Sequence, residues 1–193
     1  MPTQATLVRT LIHLLWIVWL LVWLVSARRV KPVRRQESME MGLTYRVLLV
    51  ASVVLLFFPD LGVPPLATRF YPRSLAMACF SVAVVAFGIA FSIWARVHIA
   101  ENWSGRVTVK ENHELVRSGP YHWIRHPIYT GILLALAGTV LAVDTWQAVL
   151  AFVLIVVSFI IKLLIEERML TETFGDEYRE YARETSRLIP GVW

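Results

Sequence analysis

The residues best suited to chemistry lie in two short stretches, each next to a long apolar run. The first, Ser118 to Gly131, contains two prolines, two glycines, two histidines, one arginine and three aromatic side chains. The second, Glu166 to Arg168, stands where another apolar run ends. Prolines restrict the backbone on both sides of Arg125 and His126, and glycines permit close approach. Opposite charges beside flat aromatic rings suit a ligand that carries both charge and a ring.

The composition indicates an integral membrane protein. Of the 193 residues, 57% are hydrophobic, and the mean hydropathy is +0.59, whereas a soluble domain has about 45–50% apolar residues. The net charge of +5 comes from basic residues that cluster beside apolar runs. This pattern follows the positive-inside rule and does not indicate a nucleic-acid-binding surface. Because Cys79 is the single cysteine, an intrachain disulfide and a cysteine zinc site are excluded.

Apolar runs predict an all-α fold with about five transmembrane helices. A basic cluster follows the first run, so we expect a span there and not a signal peptide. Only Asp144 and Thr145 separate the last two runs, which predicts a helical hairpin with Asp144 as the N-cap of the last helix. The predicted spans are Leu7–Ala27, Leu43–Phe58, Ser74–Ala95, Ile128–Val143 and Trp146–Ile165.

The charges also predict an orientation. Arg28 to Arg35 carries five positive charges and no negative one, so we expect this segment on the cytoplasmic side and the N-terminus outside. The polar segment from Val97 to Trp123, in which residues 107–109 favour a short extended piece, then lies inside, as does the C-terminal tail. We therefore expect the stretches Ser118 to Gly131 and Glu166 to Arg168 to meet at the cytoplasmic face.

Two spaced motifs resemble the isoprenylcysteine carboxyl methyltransferase family, and the related phospholipid methyltransferases share parts of the pattern. The resemblance covers about Arg96 to Pro190. It divides the chain into an N-terminal three-helix part, residues 1–95, and a methyltransferase-like part, residues 96–193. The residues that carry it are His113–Tyr121, Arg125–Gly131, Glu166–Leu170, Phe174–Tyr178, Tyr181 and Ile189-Pro190.

The resemblance implies a multi-pass membrane enzyme that uses S-adenosylmethionine. It implies a cytoplasmic cofactor pocket covered by the C-terminal segment, and a lipophilic substrate that enters from the bilayer among membrane lipids. The placement of the basic residues predicts no nucleic-acid partner, and no residue spacing predicts a metal site. The methyl acceptor would be the C-terminal carboxylate of a prenylcysteine. Arg125 and Glu167 would lie beside the reacting groups. The residues implied to line the cofactor pocket are His113, Leu115, Val116, Gly119, His126, Tyr129, Gly131 and Glu166.

The chemistry of S-adenosylmethionine agrees with these residue types. Arginine or histidine suits its carboxylate, glutamate its ammonium, and aromatic faces its sulfonium and adenine. A carboxylate acceptor needs no general base, whereas an amine acceptor needs one, for which Glu167 is the candidate.

Some features leave other functions open. The family often has an Arg-Val-Pro run where this chain has Glu184-Thr185-Ser186, with Arg183 and Arg187 nearby. This departure weakens the case for prenylcysteine and leaves a phospholipid or a small thiol as alternative acceptors. A sterol-type membrane reductase that uses NADPH and a non-enzymatic membrane scaffold are further alternatives. A soluble methyltransferase is excluded, because no Gly-x-Gly-x-x-Gly loop follows a strand.

Overall fold

Helices form most of the chain. The computed structural model describes residues 4–27, 33–36, 39–58, 64–72, 74–100, 108–110 and 115–193. The described α-helices are α1 (Gln4–Ser26), α2 (Met39–Phe57), α3 (Leu75–Ile99), α4 (Pro127–Val143), α5 (Trp146–Phe174) and α6 (Asp176–Glu184), and short 3-10 helices lie at Pro64–Ala67 and Gly119–His122.

Among the described residues, α1, α3 and α5 are long and apolar enough to cross a membrane, while Gly42–Phe57 of α2 and α4 are shorter apolar helices. At 1.5 Å per residue, the 29 residues of α5 extend about 43 Å, more than the roughly 30 Å of a bilayer's hydrocarbon. The predicted span ends at Ile165, but the helix continues to Phe174. The two glutamates of the second stretch therefore belong to a continuous helix.

A short β-ladder accompanies the helices in the described part of the chain. The strands β1 (Val33–Gln36) and β2 (Thr108–Lys110) pair antiparallel, with Arg35 opposite Val109. The all-α prediction is therefore correct for the bundle but not for this ladder, which the sequence indicates only as an extended piece at 107–109. The ladder joins the segment after α1 to the segment between α3 and α4.

The helices α3 and α4 pack with their backbones in contact. A Cβ atom on Gly88 of α3 would lie 2.4 Å from the backbone nitrogen of Ala135, and one on Gly131 of α4 would lie 2.6 Å from that of Ser92. Small residues allow this close approach between membrane helices. The seam between α3 and α4 therefore depends on glycine from both sides.

The helix α1 attaches to this pair through tryptophan. The indole nitrogens of Trp16 and Trp19 donate to Thr139 Oγ1 at 3.1 Å and to Ser92 Oγ at 3.0 Å. A buried indole usually finds such a partner. This face of α1 therefore packs against α3 and α4.

Arg96 lies inside α3, although the sequence predicts that the span ends one residue earlier. Its side chain is buried, and its two Nη atoms donate to the carbonyls of Ala100 and Ser26, each at 2.8 Å. Carbonyls at helix ends lack partners within their own helix. Arg96 supplies hydrogen-bond donors to such carbonyls at the ends of α3 and α1. The helix runs through the predicted boundary at residues 95 and 96, and that division stays a prediction.

Asp144 closes the turn between α4 and α5, and the prediction that it caps α5 is wrong. Thr145 is the N-cap, accepting a hydrogen bond from the Ala148 amide at 3.3 Å. Asp144 adopts the left-handed conformation, with φ of 59°, which aspartate tolerates better than most residues. Its buried carboxylate instead accepts from Arg69 Nε at 2.7 Å and from the Tyr71 amide at 3.2 Å.

The glycine seam predicts the effect of a larger side chain. We expect Gly88→Val to lower the free energy of unfolding in detergent by about 2 kcal/mol or more, because overpacking here meets backbone atoms. The control is Ala90→Val, at an exposed position of the same helix, and thermal unfolding compares the two. Equal stability of both variants would contradict the packing role of Gly88.

Candidate active site

The candidate site forms where the start of α4, the end of α5 and the C-terminal segment, residues 185–193, meet. The C-terminal segment pairs with residues 123–126 as a short parallel bridge between Ile124 and Ser186. The amides of Arg125 and His126 donate to the carbonyls of Ser186 at 2.8 Å and Arg187 at 3.1 Å. Backbone hydrogen bonds thus hold the C-terminal segment against the stretch from Ser118 to Gly131.

The carboxylate of Glu167 lies at the centre of this junction. Its Oε1 accepts from Arg125 Nε at 2.9 Å and lies 3.3 Å from His126 Nε2, while its Oε2 accepts from Arg187 Nε at 2.9 Å. The Glu167 side chain is 12% exposed and that of Arg125 is 8% exposed. Charge-assisted hydrogen bonds of this kind are stronger than neutral ones. One carboxylate on α5 therefore orients basic groups from two other segments.

Both arginines retain donors that the described residues do not use. Arg125 Nη1 donates to the carbonyls of Ala182 at 2.8 Å and Thr185, and Nη2 has no hydrogen bond within the described part of the chain. Among the described residues, the Arg187 side chain donates hydrogen bonds through Nε alone, to Glu167. Its guanidinium carbon lies 5.2 Å from the Trp193 ring centroid. With Arg183 and Glu184, both line a cavity of about 340 Å³. The remaining donors suit an anionic group such as a carboxylate.

A second group of contacts surrounds Glu166. The Tyr129 hydroxyl donates to Glu166 Oε2 at 2.7 Å. The His126 ring stacks on the Tyr129 ring with centroids 5.4 Å apart and planes 1° apart. Within the described residues, Glu166 Oε1 has no hydrogen-bond partner. A free carboxylate oxygen beside aromatic faces suits an ammonium group or another cation.

Tyrosines of α6 support the junction as neutral phenols. Burial raises the pKa of Tyr178 and of Tyr181 above the ordinary value for tyrosine, and the nearby Glu167 adds to the effect on Tyr178. The Tyr181 hydroxyl donates to the Tyr121 carbonyl at 2.7 Å. The Tyr178 hydroxyl is buried and has no hydrogen-bond partner among the described residues. Tyr178 thus keeps a proton donor close to Glu167.

The structure brings five of the predicted site residues into contact with one another: Arg125, His126, Tyr129, Glu166 and Glu167. Their predicted roles stay predictions. The contacts arise because the two-residue turn between α4 and α5 returns the chain to the end of the bundle where α4 begins.

The other predicted cofactor residues lie elsewhere. Val116 packs against the buried Ala95, Tyr121 and Ile128, while Gly131 belongs to the seam with α3. Gly119 has φ of +60°, and a Cβ atom there would lie 2.6 Å from the His98 ring.

Leu115, also predicted to line the cofactor pocket, is half-buried, and His113 lies outside the described residues. The cofactor roles of His113, Leu115, Val116, Gly119 and Gly131 stay predictions.

The sequence patterns predict no specific role for Arg187, Tyr178 or Lys162. Lys162 has its Nζ 5.3 Å from the Tyr129 ring centroid and stands one helical turn before Glu166. Its position inside an apolar run was the available signal, because an ionisable residue in a span is a functional candidate. Tyr178 belongs to the motif residues Phe174–Tyr178, and Arg187 lies near the position of the family's Arg-Val-Pro run. Neither signal predicts where these side chains lie, because both reach Glu167 and its surroundings only through tertiary folding.

Comparison with known sequences confirms the resemblance that the two motifs predict. Residues 80–172 match the model of the isoprenylcysteine carboxyl methyltransferase (ICMT) family. The chain is 32% identical over 112 residues to the probable protein-S-isoprenylcysteine O-methyltransferase of Oryza sativa subsp. indica, covering 58% of this chain and 53% of that protein. It is 37% identical over 70 residues to methanethiol S-methyltransferase 1 of Bradyrhizobium diazoefficiens, covering 36% of this chain and 24% of that protein.

A solved structure has a similar fold. It is the eukaryotic intramembrane Ras methyltransferase ICMT (isoprenylcysteine carboxyl methyltransferase), with a TM-score of 0.56 and 25% sequence identity. The match covers 77% of this chain and 53% of that one. The chain thus spans about half the length of the rice relative and of the solved structure.

The junction at Glu167 predicts how the C-terminal segment responds to loss of a single charge. In Glu167→Gln we expect the amides of Arg125 and His126 to exchange hydrogen about tenfold faster or more, because charged hydrogen bonds contribute about 1.5–3 kcal/mol each. The control is Glu184→Gln, since Glu184 is exposed and lines the 340 Å³ cavity without a side-chain hydrogen bond or ion pair to the described residues. Unchanged exchange in Glu167→Gln would mean that the backbone hydrogen bonds alone hold the C-terminal segment.

Proposed function

We propose that this chain is an integral membrane methyltransferase that transfers a methyl group from S-adenosylmethionine to a lipophilic acceptor, namely the C-terminal carboxylate of a prenylcysteine. The observation that most supports this proposal is the Glu167 junction with Arg125, His126 and Arg187. Glu167, Arg125 and His126 fall within the region that matches the ICMT family, and the rice relative carries the name of that activity.

The residues around Glu166 fit S-adenosylmethionine. The free Oε1 of Glu166 would take the ammonium group, and the stacked rings of His126 and Tyr129 would contact the sulfonium or the adenine. When bound, this cofactor supplies an activated methyl group. We propose that Leu115, Val116, Gly119, Gly131 and His113 complete the cofactor site, as the motifs imply.

The acceptor carboxylate would bind at the two arginines. Arg125 and Arg187 both line the 340 Å³ cavity, and their unused Nη atoms would hold the acceptor oxygens in line with the methyl group. In this displacement the oxygen–carbon bond forms as the sulfur–carbon bond breaks, so no proton has to leave the acceptor. The arginines thus bind and orient the acceptor.

Glu167 would act as a positioning residue. Each of its oxygens accepts a hydrogen bond from an arginine, and neighbouring positive charges favour the ionised form of a carboxylate. A carboxylate so occupied is a weak proton acceptor. Its role would be to fix Arg125 and Arg187, so the general-base role that an amine acceptor would require fits poorly.

We further propose five transmembrane helices, α1 to α5, with the N-terminus outside and the site and C-terminus on the cytoplasmic side. The basic cluster from Arg28 to Arg35 supports this orientation through the positive-inside rule. The acceptor would enter from the bilayer, where its hydrocarbon chain is soluble. The C-terminal segment, bonded to residues 123–126, would cover the cofactor.

A small thiol is the second candidate acceptor. It is favoured by the similarity to methanethiol S-methyltransferase 1. A thiol attacks as a thiolate. Because Glu167 is a weak proton acceptor here, a thiol would have to bind as a thiolate, whose charge the two arginines would also suit.

Cofactor binding tests the proposal directly. We expect the purified protein to bind S-adenosylhomocysteine in calorimetry, and Glu166→Gln to weaken binding about tenfold or more, the value of one charged hydrogen bond. The control is Glu180→Gln, an exposed change on α6. Binding of NADPH without any response to S-adenosylhomocysteine would instead support a reductase.

Turnover tests the acceptor site. With a farnesylcysteine analogue and radiolabelled S-adenosylmethionine, we expect Arg125→Ala and Glu167→Ala to abolish methyl transfer. We expect Arg187→Met to lower kcat/KM about tenfold or more while binding of S-adenosylhomocysteine is unchanged. The control is Arg168→Met, because the Arg168 side chain is 81% exposed. Methylation of methanethiol but not of the farnesylcysteine analogue would favour the thiol.

A further inference from the structure

A cavity of about 700 Å³ lies at the end of the helices opposite the candidate active site. It is partly open and is lined by the beginning of α1, the end of α2, the beginning of α3 and the end of α4. Because α4 begins at the candidate site and its 17 residues extend about 25 Å, the two places are separate. The candidate active site therefore does not account for this cavity.

The walls of this cavity are mainly apolar. Its lining runs along α1 from Gln4 to His13, a length of about 14 Å. Near its inner end, Thr139 accepts a hydrogen bond from Trp16 of α1 at 3.1 Å. The apolar lining residues include Val8, Ile12, Leu56, Phe57, Met77 and Ala142. An apolar space of this size between membrane helices suits a hydrocarbon chain.

The polar groups of the lining add a positive charge. Arg9 and His13 stand four residues apart, on the same face of α1, and both line the cavity. Within the described residues neither side chain has a hydrogen bond or an ion pair, and the His13 ring lies 6.3 Å from the Phe57 ring, measured between centroids. The third basic lining residue, Arg69, is already paired with the buried Asp144. Arg9 therefore faces this space without a compensating charge from the described lining.

The apolar lining of the cavity and its basic residues together indicate the chemical class of its ligand. A cationic side chain next to a bilayer is favourable when an anionic group lies beside it. We propose that the cavity binds one acyl chain of an anionic membrane phospholipid, with the lipid phosphate between Arg9 and His13. The lipid joins α1 to the ends of α3 and α4, and it is distinct from the methyl acceptor.

Photo-crosslinking in vesicles tests where the acyl chain lies. The probe is phosphatidylglycerol with a diazirine on its acyl chain, in vesicles of equal phosphatidylglycerol and phosphatidylcholine. We expect labelled peptides from residues 4–13 and 74–81. Ala78→Trp fills the cavity, since Ala78 is part of its lining, and should reduce labelling at least fivefold. The control is Ala76→Trp, at an exposed position of the same helix, which should leave labelling unchanged.

Competition tests the headgroup and gives a second route if Ala78→Trp unfolds. Unlabelled phosphatidylglycerol should displace the probe, while phosphatidylcholine and inorganic phosphate at 10 mM should not, because both the chain and the charge are needed. The double variant Arg9→Gln, His13→Gln should lose this preference and keep the thermal unfolding temperature of the parent in detergent. Equal displacement by both lipids, or full labelling in a folded Ala78→Trp variant, would overturn the proposal.

Discussion

The candidate site depends on one carboxylate that three separate segments share. Glu167 lies on α5, Arg125 and His126 precede α4, and Arg187 belongs to the C-terminal segment. Removing a single partner from such a group leaves buried charges without compensation, which costs more than one ordinary hydrogen bond. The local order of the α4 entry and of the last residues is therefore coupled through one side chain.

Much of the arrangement around this carboxylate could be predicted from the sequence. The meeting of Arg125 and His126 with Glu166 and Glu167 follows from two apolar runs joined by only two residues. Such a connection returns the chain to the end from which it came, whatever the details of packing. The spacing of polar residues along the apolar runs thus predicts which end of the bundle carries the site.

Features that depend on distant partners were not predictable. Asp144 directly precedes a helix and has the side chain of an N-cap, but Arg69, which lies 75 positions earlier, binds its carboxylate. Arg96 looks like the start of a polar segment until the carbonyl of Ser26 gives its guanidinium a buried partner. Arg187 reaches Glu167 because the C-terminal segment folds back over α4. For Asp144 and Arg96 tertiary contacts override a sound local expectation, and for Arg187 they form a contact that the local sequence does not predict.

The contact between Gly88 and Gly131 also limits the routes by which a long molecule can approach the site. Where two backbones touch, with a Cβ atom on Gly88 only 2.6 Å from the Gly131 carbonyl oxygen, no hydrocarbon chain can slide between α3 and α4. A molecule that arrives sideways through the bilayer must therefore pass on another flank of the bundle. Gly88 and Gly131 thus close the interface between α3 and α4 to a hydrocarbon chain.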